Sequence, residues 1–226
     1  MDFFVVYGLT IISVIITVLA QVFVEGSYSK YRKVHNEKGI TGMQAARYVL
    51  DSNGLNDVKI EEVAGHLSDH YDPRDKTVRL SSDNYRGESI ASVSVACHEC
   101  GHALQDKDGY LFMRIRHSLV PIVNFSSYAG YLAITIGIFF GATSFIWLGI
   151  LLEVVILLFQ IVTLPVEINA SRRAMKELSS ANFLNNSELG KGKVMLGAAA
   201  MTYVASVATT LIQILRLILM FGRRDD

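Results

Sequence analysis

Two histidines four residues apart, His98 and His102, enclose a glutamate in the segment His98-Glu99-Cys100-Gly101-His102. On an α-helix a four-residue step comes back to within about 40° of the same direction, so both imidazoles leave one face, a turn apart. Imidazoles so placed suit two corners of the tetrahedron that Zn²⁺ prefers. Glu99 is adjacent on the arc and can reach a water at the ion without being a ligand. The chemistry this spacing allows is metal-assisted hydrolysis. Zinc acidifies the water and polarises a peptide carbonyl, while the carboxylate moves the proton to the leaving amine. The competing reading is a pair of structural histidines flanking a solvated glutamate, since Ala96, Gly101 and Ala103 also permit close packing of this helix.

A catalytic zinc needs a third protein ligand and an open position. Asp108 would serve if the chain turned sharply after His102, as in the extended H-E-x-x-H-x-x-G-x-x-H/D pattern. That pattern has glycine where this chain has Gln105. Glu167 would serve if the helix opening at Pro165 lies on the same membrane face as the motif. The two apolar spans between His102 and Glu167 give an even number of crossings, which favours Glu167.

The elements that must position these residues follow from the distribution of apolar side chains. The chain has 226 residues, 51% of them hydrophobic, and a formal net charge of zero. The charge balance excludes a nucleic-acid partner, which needs a basic surface. Three apolar blocks stand out: Phe3 to Val24, Leu119 to Leu164 and Val194 to Phe221. The first and third are each one span of a hydrocarbon core and the second is two, with its turn at Gly141-Ala142-Thr143-Ser144. Arg216 interrupts the last block, where an arginine near a helix end can snorkel to the interface. The expected organisation is a first transmembrane helix at 1–25, a soluble catalytic α+β domain at 26–117 and a transmembrane hairpin at 118–164. A helix with the third ligand at 165–192 and a fourth span at 193–222 complete it. Within the soluble part, Thr41 to Asn53 reads as a capped helix stopped by Gly54. Val58 to Val63 and Thr77 to Leu80 read as strands around an Asp72-Pro73-Arg74-Asp75 turn, and Ser89 to Gln105 as the motif helix. The strand from Lys76 to Ser82 is expected at a sheet edge, open to an extended peptide.

Positive charges at Lys30, Arg32, Lys33, Arg114, Arg116, Arg172, Arg173 and Lys176 all fall on one face of a four-span protein. That face should be the cytoplasm. Arg223 and Arg224 fall on the other and oppose this orientation.

Three segments carry a resemblance. They are His98-Glu99-Cys100-Gly101-His102-Ala103-Leu104-Gln105, Leu67-Ser68-Asp69-His70-Tyr71-Asp72-Pro73 and Leu164-Pro165-Val166-Glu167-Ile168-Asn169-Ala170-Ser171-Arg172-Arg173. Together they resemble the bacterial membrane zinc metallopeptidases of the YugP type over nearly the whole chain. The Glu167-x-x-Ala170-Ser171 step is also similar to the E-x-x-A-D motif of the HtpX family of membrane peptidases and its relatives. The resemblance implies a gluzincin-like, α+β membrane protein in the bacterial plasma membrane. It would bind one Zn²⁺ per chain through His98, His102 and Glu167, with Glu99 as general base. Ser171 stands where those relatives carry aspartate; its hydroxyl can orient a ligand histidine but brings no charge.

Arg172 or Arg173 can stabilise an oxyanion, orient Glu167 or serve only as topological charge. His66 and His70, on a strand and turn, read as solvated residues. Cys97 and Cys100 point away from the histidine face and read as packing residues; two cysteines are no disulfide framework. The expected substrate is a peptide or membrane-protein segment met beside membrane lipid, with the oligomeric state open. The rivals are a zinc-binding scaffold without turnover and an ion transporter. The transporter is disfavoured because only Glu153 and Arg216 are ionisable within the last two blocks.

Overall fold

The computed structural model of the protein describes residues 3–222; Arg223 and Arg224 lie outside them. The elements run α1 (Phe3–Tyr31), α2 (Gly42–Ser52), β1 (Lys59–Val63), β2 (His70–Asp72), β3 (Thr77–Ser81), α3 (Ser82–Arg86), α4 (Ile90–Lys107), α5 (Leu111–Phe140), α6 (Thr143–Ser180) and α7 (Asn186–Phe221). This is a mixed α+β chain, mostly helical, and α1, α5, α6 and α7 are each long and apolar enough to cross a membrane. The residues fall into two compact units, one from 1–21, 114–164 and 201–226, the other from 22–113 and 165–200.

The apolar unit packs Ile146, Ile150, Ile214, Leu217 and Phe221 into its own cluster. The α5–α6 turn falls where small residues allow it, with Gly141 at φ +67°. Next to it a Cβ on Gly137 would lie 2.9 Å from the Ile146 backbone nitrogen. Without strong hydrophobic drive between helices in lipid, such close backbone approach is what holds them. The Arg216 guanidinium donates to Thr10 Oγ1 at 2.7 Å, joining α7 to α1.

In the second unit the α2 start is a full capping box. Thr41 accepts from the Gln44 backbone N–H, and the Gln44 side chain accepts from the Thr41 backbone N–H, satisfying two otherwise orphaned donors. Gly54 follows at φ +71°. The sheet has the order β1-β3-β2. β3 pairs with β1 in parallel, Ile60 opposite Val78, and with β2 antiparallel, Tyr71 opposite Val78. The strand expected at an edge is therefore the centre. Its Val78 and Leu80 are fully buried, as a strand paired on both sides should be, and the edges are β1 and β2. Core residues from α2, β3 and α4 meet Ala174, Leu178, Met195 and Leu196 in one cluster.

Pro165 does not open a helix either. It lies inside α6, which runs unbroken from Thr143 to Ser180. Proline removes one helical hydrogen bond, but apolar sequence on its N-terminal side and helix-compatible residues beyond it keep the rod continuous. α7 likewise begins at Asn186, so the helix bearing Glu167 ends twelve residues short of 192, the end expected for it.

Candidate metal centre

α4 begins at the Ser89 cap, whose hydroxyl accepts from the Ser92 N–H at 3.0 Å, and extends as regular helix through the whole motif. His98 and His102 consequently share a face. α6 brings Glu167 to that face because the helices touch at their smallest residues: a Cβ on Gly101 would sit 2.6 Å from the Ala170 carbonyl oxygen. Glu167 Oε2 lies 3.3 Å from His98 Nε2 and 3.6 Å from His102 Nε2. One ligand atom from each of the three residues falls within 4.8 Å of the others, and among the described residues this is the group found able to hold a metal ion.

The outer nitrogens of both imidazoles are engaged in a way that suits a metal. His102 Nδ1 is 3.0 Å from Gln105 Oε1. That amide is fixed, since Gln105 Nε2 donates to the Val166 carbonyl at 2.7 Å and to Asn169 Oδ1 at 3.0 Å. Gln105 therefore presents its oxygen, His102 carries its proton on Nδ1, and the Nε2 lone pair is left for an ion. His98 Nδ1 meets Ser171 Oγ at 3.2 Å, so this hydroxyl touches His98 specifically. Two imidazoles whose Nε2 atoms converge on one buried carboxylate form a donor set that fits Zn²⁺.

Glu99 is 8% exposed. Burial pushes its carboxyl up to about 7; His98 partly offsets this, the charges of Glu167 and Asp69 add to it, and a hydrogen bond from the Tyr71 backbone N–H opposes it. Asp69 is itself held by the Ser81 N–H at 2.8 Å and Asn84 Nδ2 at 2.9 Å. A carboxylate near neutrality is matched to moving protons in both directions.

The alternative third ligand, Asp108, caps the end of α4 and pairs with Arg173 at 2.6 Å. Arg173 also donates to Asn169 at 2.9 Å, which places it behind Gln105, and Arg172 is exposed. His66 faces Glu25 at 3.2 Å and His70 Nδ1 donates to the Ser68 carbonyl at 2.8 Å, both exposed. Cys97 and Cys100 are fully buried, and burial raises both thiols well above their ordinary range. Gln105 is the contributor that sequence reasoning passed over, treating it as a missing glycine. Its position three residues after His102, on the same helix face, is the signal that was available.

Comparison with known proteins agrees with this geometry. A family model described as "Putative neutral zinc metallopeptidase" matches residues 6–222. The "Putative membrane protease YugP" of Bacillus subtilis (strain 168) is 45% identical over 220 residues, covering 96% of this chain and 97% of that protein. No solved structure matches. With nearly its whole length matched on both counts, the chain belongs to the family described as putative neutral zinc metallopeptidases.

Proposed function

We propose that this protein hydrolyses peptide bonds at the cytoplasmic surface of the plasma membrane, as a gluzincin-type enzyme with His98, His102 and Glu167 as zinc ligands and Glu99 as general base. The observation that carries the reading is the convergence of those three donors within 4.8 Å, beside a buried carboxyl raised to about 7. A zinc ion there would supply Lewis acidity, polarising the scissile carbonyl and acidifying a water. Glu99 takes the proton that the attacking water gives up and delivers it to the departing amine nitrogen. Gln105 and Ser171 hold the two imidazoles in the orientation that keeps Nε2 inward. The outer edge of β2, where the Tyr71 N–H faces Glu99, is the strand to which an extended substrate would add by backbone hydrogen bonds. Surface hydrolysis, not cleavage within the bilayer, is supported by α4, which is not among the membrane-length apolar helices and is flanked by Glu88 and Asp106-Lys107-Asp108.

The test is metal analysis together with turnover of an unfolded polypeptide by the purified full chain. Glu99→Gln should retain zinc and lose at least about 10²-fold in turnover, the lower range for a lost general base, whereas Glu167→Gln should lose zinc. Full turnover by Glu99→Gln would sink the reading.

A further inference from the structure

β1 and β2 are the two edges of the sheet, and the residues that join them, 64–69, form a loop closed on itself. Gly65 has φ +115°, and a Cβ there would lie 3.2 Å from Ser68 Cβ. The Ser68 hydroxyl donates to the Ala64 carbonyl at 3.1 Å. Beyond it, Asp69 is pinned by Ser81 and Asn84. Between these anchors Leu67 sits at φ +52°, a left-handed conformation that leucine adopts at steric cost and asparagine tolerates. Leu67 is also 39% exposed. Water rewards neither the strained backbone nor the apolar side chain, and an outlier of this kind points to a function at the tip.

The loop's position along α1 identifies what the tip meets. The uncharged run from Phe3 to Val24 makes about 33 Å of helix at about 1.5 Å per residue, enough to fill a hydrocarbon core of about 30 Å. Glu25, the first charged residue after that run, therefore lies at headgroup level. His66 is tied to this level twice, by Nε2 at 3.2 Å from Glu25 Oε1 and by its ring edge-to-face with Tyr28, centroids 5.3 Å apart. Just below, Val22 and Phe23 are 64% and 50% exposed, the lipid-facing surface of a membrane-length helix. Leu67 is the next residue after His66 and continues that surface. A protein partner would need about 800 Å² on this side, far more than one leucine offers. A chain already held by its spans needs only a contact.

We propose that the loop at residues 64–68 seats in the lipid headgroup boundary, with Leu67 as its apolar contact. This deepens the peptidase reading, and rests on it, by naming a substrate class. β2 begins three residues beyond Leu67, at most about 11 Å of extended chain. An edge that starts so close to the bilayer receives polypeptides as they leave it. The substrate is a membrane-anchored chain cut within a few residues of its span, in preference to a free one.

The experiment uses the full chain in phosphatidylethanolamine–phosphatidylglycerol vesicles. Leu67→Cys carries an environment-sensitive nitrobenzoxadiazole label; the native cysteines are fully buried. Nitroxide lipids, labelled at the headgroup or high on the acyl chain, should extinguish its fluorescence, and iodide on both faces of the membrane should not. Quenching by iodide alone overturns the proposal. Leu67→Asn, which suits the backbone, should keep its zinc and its Tm in detergent. Turnover is then compared on one unfolded polypeptide, either anchored by a lysine-flanked polyleucine span or free. The parent chain should favour the anchored form, and Leu67→Asn should reduce that preference by about tenfold, the low end for removing one leucine from an apolar setting. Equal turnover of both forms by the parent, or a preference that survives Leu67→Asn, overturns the substrate class. No turnover of either form counts against the peptidase reading, and the quenching still decides the loop.

Discussion

Gln105 shows how much a metal site depends on a residue that binds no metal. Its oxygen faces His102 Nδ1 and its nitrogen is tied to Val166 and Asn169 on α6, so one side chain sets the tautomer of a ligand and ties the two ligand-bearing helices together. Gln105→Leu should therefore weaken zinc affinity by about 10- to 100-fold, the range for lost partners of ligating histidines, as read by competition with a chromophoric chelator. Ser171→Ala removes a single, longer contact to His98 and should weaken affinity less. Asp108→Asn breaks the pair with Arg173 yet should leave zinc bound, in contrast to Glu167→Gln. Zinc loss by the Asp108 variant would transfer the third ligand to it.

At the level of elements, the α4–α6 contact is governed by absence of volume. Gly101→Ala places a methyl 2.6 Å from the Ala170 carbonyl oxygen, a backbone atom that cannot swing aside. The helices must separate, at a cost of about 1–3 kcal/mol for such overpacking. Thermal unfolding in detergent should show a lower Tm together with reduced zinc content. Legibility in the sequence followed the strength of local signals. The Thr41 N-cap, the start of the motif helix at Ser89 and the Gly141 turn each rest on signals acting within a few residues, and all were readable, whereas the full capping box at Thr41 and the Ser89 hydroxyl cap were not. Glu167 was readable through topology, because an even number of crossings depends only on apolar length. β2 was not: three residues, His70 to Asp72, are too few to show alternation, and missing it turned the central β3 into an apparent edge. The continuity of α6 was hidden for the opposite reason. Pro165 is a strong local breaker that the long apolar helix on its N-terminal side overrides.

For the whole molecule, the expected orientation and metal dependence are both open to measurement. Single cysteines introduced at Lys33 and Lys176 in intact cells should react with a membrane-impermeant maleimide only after permeabilisation. Labelling of intact cells would place the catalytic unit outside. The native thiols will not obscure this result, because Cys97 and Cys100 are sealed in the core and held protonated. Removal of zinc by a chelator should abolish turnover, and adding it back should restore it. The sealed thiols also bear on the kinds of donor atom offered to an ion at the centre. Sulfur within a few residues of both imidazoles would, if ionised and mobile, invite soft monovalent copper. Locked in apolar packing, it leaves only nitrogen and oxygen donors at the centre, so the hydrophobic core withholds the soft ligands that monovalent copper prefers.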